Sequence, residues 1–363
     1  MVTEQTAPRA DRALAASAAT TRRRRRPAAL LSICTLLYGL VLLSVAAMNA
    51  LGPDRWWIGS VNLYLPQWPW AIPAGVLLVW HLARAWRRAW IPVAMLAWVF
   101  GPLMGWSFGL ARLAAHGSGP RLRVMTYNVK WGTRGAAAVI ANVDAANPDV
   151  LIMQDSNGAI DNVLAPLRRP GWHVMRTSQY TILSRYPLTN GFSQWFTPDR
   201  KRRCLRCTLQ FGATPVVLYD VHLMTPRYAL SSFAENGADG VGSVEQNAAV
   251  RMHEAAGLAD HVRTMNGPII LAGDLNSPIQ TRACDSLLAA GLRDAFTEAG
   301  WGYGYTYGQS TPFRRPFLRI DHVMVSREWQ VESCSVGSQR GSDHSPIITD
   351  LRLVNSSEGG AAH

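Results

Sequence analysis

The chain has 363 residues, room for one sizeable domain and a second element, and a formal charge of +12. The excess is uneven: residues 1–117 hold 12 basic and 3 acidic residues, +9, whereas residues 118–363 hold 24 and 21, +3. That nearly neutral remainder argues against a broad basic face for duplex nucleic acid. Nine of the 14 Trp lie before residue 107, so the N-terminal charge calls for a different explanation.

Residues 1–27 are rich in Ala, Thr and Arg, end in Arg22-Arg23-Arg24-Arg25-Arg26-Pro27, and read as a disordered basic tail. The uncharged apolar stretch 28–51 follows directly, longer than the roughly 20 helical residues that cross a hydrocarbon core. Further apolar segments at about 68–85 and 90–110 complete a membrane region over 28–114 with three predicted transmembrane helices. Trp56, Trp57, Trp68, Trp70, Trp86 and Trp90 sit near segment ends, as an interfacial belt does, and Arg84, Arg87 and Arg88 make a basic loop between the last two segments. The positive-inside rule then predicts a cytoplasmic N-terminus, and three crossings of the plasma membrane leave everything after about residue 115 outside the cytoplasm. Pro69, Pro73, His81 and Arg84 interrupt the middle segment; without that crossing the C-terminal part is cytoplasmic.

Residues 115–120 form a linker containing Gly117-Ser118-Gly119-Pro120, and 121–353 form the soluble domain, followed by a disordered tail at 354–363. Strand-length apolar runs recur along it, among them 123–129, 149–155, 180–184, 204–211, 216–223, 268–274, 319–326 and 345–353. Helical stretches fall at 135–147, 244–265 and 283–290. Many strands with a few interspersed helices predict two packed sheets with helices outside. Cys204 and Cys207 form a C-x-x-C within a strand, where residues three apart lie roughly 10 Å apart on opposite faces, too far for a mutual disulfide. They read as structural, with a bridge to Cys284 or Cys334 left open. The polar stretch 226–242 is either a disordered excursion or a lip over a site. The basic run 198–203 is either a solvated hairpin tip or a phosphate contact, and the aromatic run 301–308 either covers the core edge or stacks on a substrate.

Asn128, Asp155, His222, Asp274, Asn276, Asp321, Asp343 and His344 each end or border a strand-like apolar run. One such residue is an ordinary turn former; eight at the same kind of place suggest a site built on strand-end rims. Oxygen ligands with an imidazole suit a hard cation and a phosphoryl group.

The motifs Met125-Thr126-Tyr127-Asn128, Gln154-Asp155, Val221-His222-Leu223, Gly273-Asp274-Leu275-Asn276, Arg319-Ile320-Asp321-His322 and Ser342-Asp343-His344, in this order, resemble those of the endonuclease/exonuclease/phosphatase superfamily with the DNase I-like fold. The resemblance spans about residues 121–353 and implies an α+β domain, a four-layer α/β/β/α sandwich. It implies Mg²⁺ or Mn²⁺ at Asp155, with Asn128 and Asp343 nearby. Asp274 would orient or deprotonate the attacking water, Asn276 would hydrogen-bond phosphoryl oxygens, and His344, oriented by Asp321, would stabilise charge on phosphorus. His222 would contact the phosphate or protonate the leaving oxygen. One departure stands out: the family usually has Glu where this chain has Asp155, one methylene shorter. The expected partners are a phosphoester substrate (nucleic acid, phospholipid headgroup or small molecule) and the lipid bilayer. The expected activity is metal-dependent phosphoester hydrolysis, with an extracytoplasmic nuclease, or a weakened phosphate- or lipid-binding membrane module, as alternatives.

Overall fold

The computed structural model describes residues 7–114, 117–157, 161–196, 203–308 and 311–354. The basic stretch 198–202, the last nine residues and part of the 115–120 linker thus lie outside the described residues. The chain divides into two units, Met1–Met48 with Gln67–Gly105, and Asn49–Pro66 with Trp106–His363. Besides the expected 121–353 domain, the second unit takes in a separate stretch of chain from between two of the apolar segments.

Four helices open the chain: α1 (Ala7–Ala50), α2 (Trp57–Leu63), α3 (Ala71–Arg84) and α4 (Trp90–Trp98). Helix α1 begins at Ala7, so most of the expected disordered tail is helical, in keeping with the high helix propensity of its Ala and Arg residues. In the first unit Leu31, Leu42 and Val45 of α1 pack with Ala74 and Leu77 of α3 and with Val99 and Leu103 beyond α4. The opposite faces are also apolar: Leu36, Leu43, Val76 and Val79 are exposed. Among the described residues one helix, Ala29–Ala50, is long and apolar enough to cross a membrane. The expectation of three crossing helices is corrected accordingly. Helix α3 has 14 residues and α4 has 9, both short of the roughly 20 needed. The reasons are local. Trp68-Pro69-Trp70 forms a separate 3₁₀ turn, Ala85 leaves helical geometry at φ −153, and Pro102, which has no N–H to donate, sits in a π turn over Val99–Leu103.

The second unit follows with β1 (Arg121–Asn128), α5 (Ala136–Ala146), β2 (Val150–Gln154), α6 (Asp161–Leu167), β3 (His173–Thr177), β4 (Tyr180–Ser184), β5 (Leu188–Trp195), β6 (Arg203–Phe211) and β7 (Thr214–His222). Then come α7 (Arg227–Asn236), α8 (Val241–Arg263), β8 (Ile269–Asp274), α9 (Arg282–Leu288), β9 (Arg293–Asp294), α10 (Ala295–Ala299), β10 (Asp321–Val325), β11 (Trp329–Val336) and β12 (Ile347–Leu353). They build two six-stranded sheets, ordered β11-β12-β1-β2-β4-β3 and β5-β6-β7-β8-β10-β9. Each holds one parallel pair at its centre, β1 with β2 and β7 with β8.

Strand alternation decides the layers. Leu122 and Val124 of β1, Ile152 of β2, Leu218 of β7, Ile270 and Ala272 of β8 and Val323 of β10 share the core between the sheets. The alternate residues face outward: Met125, Leu151 and Met153 pack under α5 and α6, while Val217, Tyr219, Leu271 and Met324 pack under α8 and α9. This is the expected α/β/β/α sandwich. Cys204 and Cys207 fall on opposite faces in these two cores, and all five Cys are free. The 226–242 stretch is not a loop; it is α7, a 3₁₀ turn and the start of α8.

Candidate active site

The parity that buries Val124, Ile152, Leu218, Ala272 and Val323 carries on to one rim of the sandwich, where it delivers polar groups instead. Asn128 on β1, Gln154 on β2, His222 on β7, Asp274 on β8 and Asp321 on β10 all share the inner-face register. Antiparallel pairing places Asp321 directly opposite Asp274, and parallel pairing places His222 beside it. Asp155 comes one residue late for that face. Its φ of 50° turns the chain after β2, a conformation Asp tolerates better than most residues.

Asp274 is the hub, 1% exposed. Its Oδ2 accepts from Asn128 Nδ2 at 3.0 Å and lies 3.5 Å from His222 Nε2 and 3.7 Å from His344 Nε2. Its Oδ1 accepts the Asn276 backbone N–H at 2.9 Å. Burial pushes this carboxyl upward, and His344 pulls it back. His344 Nδ1 donates to Asp321 Oδ2 at 2.8 Å, and the ring packs 4.9 Å from Tyr307. Burial opposes a charge on His344, but Asp321 and Asp274 outweigh it and raise the ring to about 10. His222 Nδ1 donates to Gln179 Oε1 at 3.0 Å, which leaves Nε2 toward Asp274, and Asp155 Oδ1 lies 3.6 Å from the same ring.

Asp343 is 2% exposed, and its Oδ1 has no hydrogen-bond partner among the described residues. Its Oδ2 lies 3.7 Å from Arg227 Nη2 and 3.9 Å from Lys130 Nζ. A buried carboxylate oxygen without a donor is costly unless something positive completes it. Asn128 is tied to the same stretch, since its backbone carbonyl accepts from Ser342 Oγ at 2.7 Å. Asn276, expected to meet the substrate, uses its side-chain amide to bond Leu223 O at 3.0 Å, which leaves one of its two amide N–H groups for a ligand.

Of the eight residues singled out in the sequence, Asn128, Asp155, His222, Asp274, Asn276 and His344 line one cleft of about 690 Å³. Asp321 lies behind His344, and Asp343 beneath Lys130 and Arg227. Sequence reading missed Gln179, Lys130, Arg227 and Tyr64. Gln179 immediately precedes the apolar run of β4, a detectable signal; Lys130 follows Asn128 by two residues; nothing in the chain near Tyr64 or Arg227 announces a site.

The sequence matches the Endonuclease/Exonuclease/phosphatase family over residues 125–344, more than half the chain. The chain belongs to this family. No curated protein matches it at a significant level. Solved structures share the fold. A Bacteroides thetaiotaomicron endonuclease/exonuclease/phosphatase family protein is 16% identical, with TM-score 0.50 over 68% of this chain and 100% of that one. D. rerio TDP2 complexed with single strand DNA product is 17% identical, with TM-score 0.51 over 64% of this chain and 99% of that one. Truncated Caenorhabditis elegans TDP2 is 18% identical, with TM-score 0.50 over 64% and 98%. The family match and the shared fold agree with the six ordered motifs. The N-terminal apolar segments precede the matched region.

Proposed function

We propose that this family member is a metal-dependent phosphoesterase that hydrolyses a phosphodiester or phosphomonoester by water attack. The observation that carries the reading is the buried Asp274 carboxylate, within 3.7 Å of both the His222 and His344 rings at the cleft rim. In this reading Asp274 orients the water and accepts its proton. His344, held by Asp321, faces the charge that develops on phosphorus. His222, oriented by Gln179 at Nδ1, would deliver a proton from Nε2 to the leaving oxygen while Asp274 takes the proton of the attacking water. The free amide N–H of Asn276, with Lys130 and Arg227, holds phosphoryl oxygens. Positioning and charge neutralisation of this kind supply most of phosphoryl-transfer catalysis.

The residues fit a hard divalent cation. Asp155 and Asp343 would bring carboxylate oxygens to it, Asp343 Oδ1 being without a partner among the described residues, and the Asn128 amide oxygen, which accepts the Lys130 backbone N–H at 3.1 Å, would be the third oxygen donor. Asp274, Asp321 and His344 also bring one ligand atom each within 4.8 Å of one another. Their atoms are engaged in the His344–Asp321 and Asn128–Asp274 bonds, which favours assigning the cation to the carboxylates of Asp155 and Asp343. Mg²⁺ or Mn²⁺ held there supplies Lewis-acid neutralisation of the phosphoryl oxygens.

Helix Ala29–Ala50 anchors the protein in the plasma membrane, with Arg22–Arg26 on the cytoplasmic side and the second unit outside. One crossing and three crossings are both odd, so the side is the same for either count. The substrate class spans nucleic acid, phospholipid headgroup and small molecule; the single strand DNA product seen with D. rerio TDP2 favours trying nucleic acid first. Purified full-length protein is expected to hydrolyse bis(4-nitrophenyl) phosphate with Mn²⁺ or Mg²⁺ and to stop with EDTA. Absence of turnover with either metal, unrescued by Asp155→Glu, favours a phosphate-binding module instead. A C-terminal alkaline phosphatase fusion is expected to be active; an inactive one overturns the topology.

A further inference from the structure

The segment Asn49–Pro66, which sequence reading treats as a loop between apolar segments, belongs to the same compact unit as the catalytic residues. It is built in rather than draped over the surface. Asp54 is 3% exposed, and its Oδ1 accepts the Arg282 backbone N–H at 3.0 Å at the start of α9. The Trp57 ring lies 5.5 Å from Phe233 of α7. Leu63 and Tyr64 bury themselves against Leu318 and Ile320, the residues leading into Asp321.

Tyr64 goes further. Its ring lies under the Arg251 guanidinium of α8 at 5.5 Å, and it lines the cleft. Its hydroxyl donates to the backbone carbonyl of Asn276 at 2.7 Å. Asn276 sits at φ 48°, a left-handed conformation that costs energy unless the surroundings hold it. Three bonds do so: the Asp274 carboxylate takes its N–H, Leu223 O takes its side-chain amide, and Tyr64 takes its carbonyl. Burial pushes the Tyr64 hydroxyl up to about 12, which keeps it a donor at any working pH.

We propose that Tyr64 is a positioning residue of the active site, holding the Asn276 side chain in register for the phosphoryl group from a segment that lies between two apolar helices. The catalytic centre is thus completed by chain from the N-terminal region, outside the part of the sequence that matches the family. The inference rests on the proposed hydrolase reading.

The test is a double-mutant cycle in the full-length chain with bis(4-nitrophenyl) phosphate and Mn²⁺. Tyr64→Phe keeps the ring and removes the one bond. It is expected to lower kcat about 3- to 10-fold, as loss of one hydrogen bond does, with KM within about twofold. In an Asn276→Ala background the same substitution is expected to change kcat by less than about 1.5-fold, because the positioned group is gone. An equal loss in both backgrounds, or a change confined to KM, overturns the proposal. So does loss of the thermal transition, which would assign the hydroxyl to folding. A wild-type chain without turnover would instead count against the hydrolase reading.

Discussion

The two sheets of the second unit are built alike and equipped differently. Each has a central parallel pair, and in each the inward residues run from apolar to polar toward the same rim. The first sheet brings Asn128 and Asp155, with Asp343 in the turn before β12, and leaves Asp343 Oδ1 without a donor. The second brings His222, Asp274 and Asp321, whose atoms are tied to one another or to neighbours across the rim. One half therefore keeps a buried carboxylate oxygen without a donor among the described residues, while His222, Asp274 and Asp321 of the other are already bonded. Asn128 to Asp274, His222 to Gln179 and Gln154 to Asp220 join them at or next to that rim. Thr177 to Ser193 and Arg293 to Trp329 also tie the sheets together, along the β3–β5 and β11–β9 edges, and an apolar core fills the space between the sheets.

Breaking the cluster that the second sheet's Asp274 and Asp321 make with His344, from the turn before β12, is expected to cost most. Asp274→Ala and His344→Ala should each lower kcat about 10²- to 10³-fold or more, measured at saturating Mn²⁺. A double variant with full activity would dismantle the site assignment. The first sheet should respond differently: Asp343→Asn is expected to raise the Mn²⁺ concentration for half-maximal activity by about 10- to 100-fold, with part of kcat recovered at high metal. A metal titration superimposable on wild type would remove Asp343 from the cation site. Loosening one bond between the sheets should cost less. Gln179→Leu is expected to lower kcat about 10-fold, short of the roughly 10²–10⁴ that a well-placed acid–base group contributes. An unchanged rate would show that Gln179 does not orient His222.

The smallest effect concerns the Gln154–Asp220 bond, at 2.7 Å. Burial raises the Asp220 carboxyl well above its ordinary value. Burial favours its neutral form in the fold, whereas the unfolded chain ionises it above about pH 3.9, so its contribution to stability falls as pH rises from there toward its raised folded pKa. Asp220→Asn removes that penalty. Tm is expected to rise by roughly 2–4 °C at pH 8 and less at pH 5. A gain independent of pH would contradict the assigned protonation.

Much of this was legible in the chain. The period-2 runs ending in Asn128, His222 and Asp274 show both strand and facing, and Asp321 and His344 stand at strand starts in the same way. The sandwich follows from those runs and the helical stretches between them. The membrane region was harder. Apolar composition reads the same in a 22-residue helix and in a 14-residue helix broken at Ala85, so three segments looked alike where one reaches crossing length. The 226–242 stretch, read as either an excursion or a lip, is helical because Phe233 packs on Trp57 of α2 and Leu230 on Leu63 and Tyr64, and Pro226, Arg227 and Leu230 line the cleft.

By itself the sequence determined which polar residues stand at strand ends and which strands present them, because alternation along a strand is a local property. Only the tertiary structure decided what each residue meets. Asp155 reaches the rim through a positive φ that no pattern encodes, and Arg227 comes to Asp343 from a helix more than 100 positions away. Tyr64 bonds Asn276 across 212 residues of chain. Such contacts depend on how layers close over one another, and sequence spacing holds no record of that.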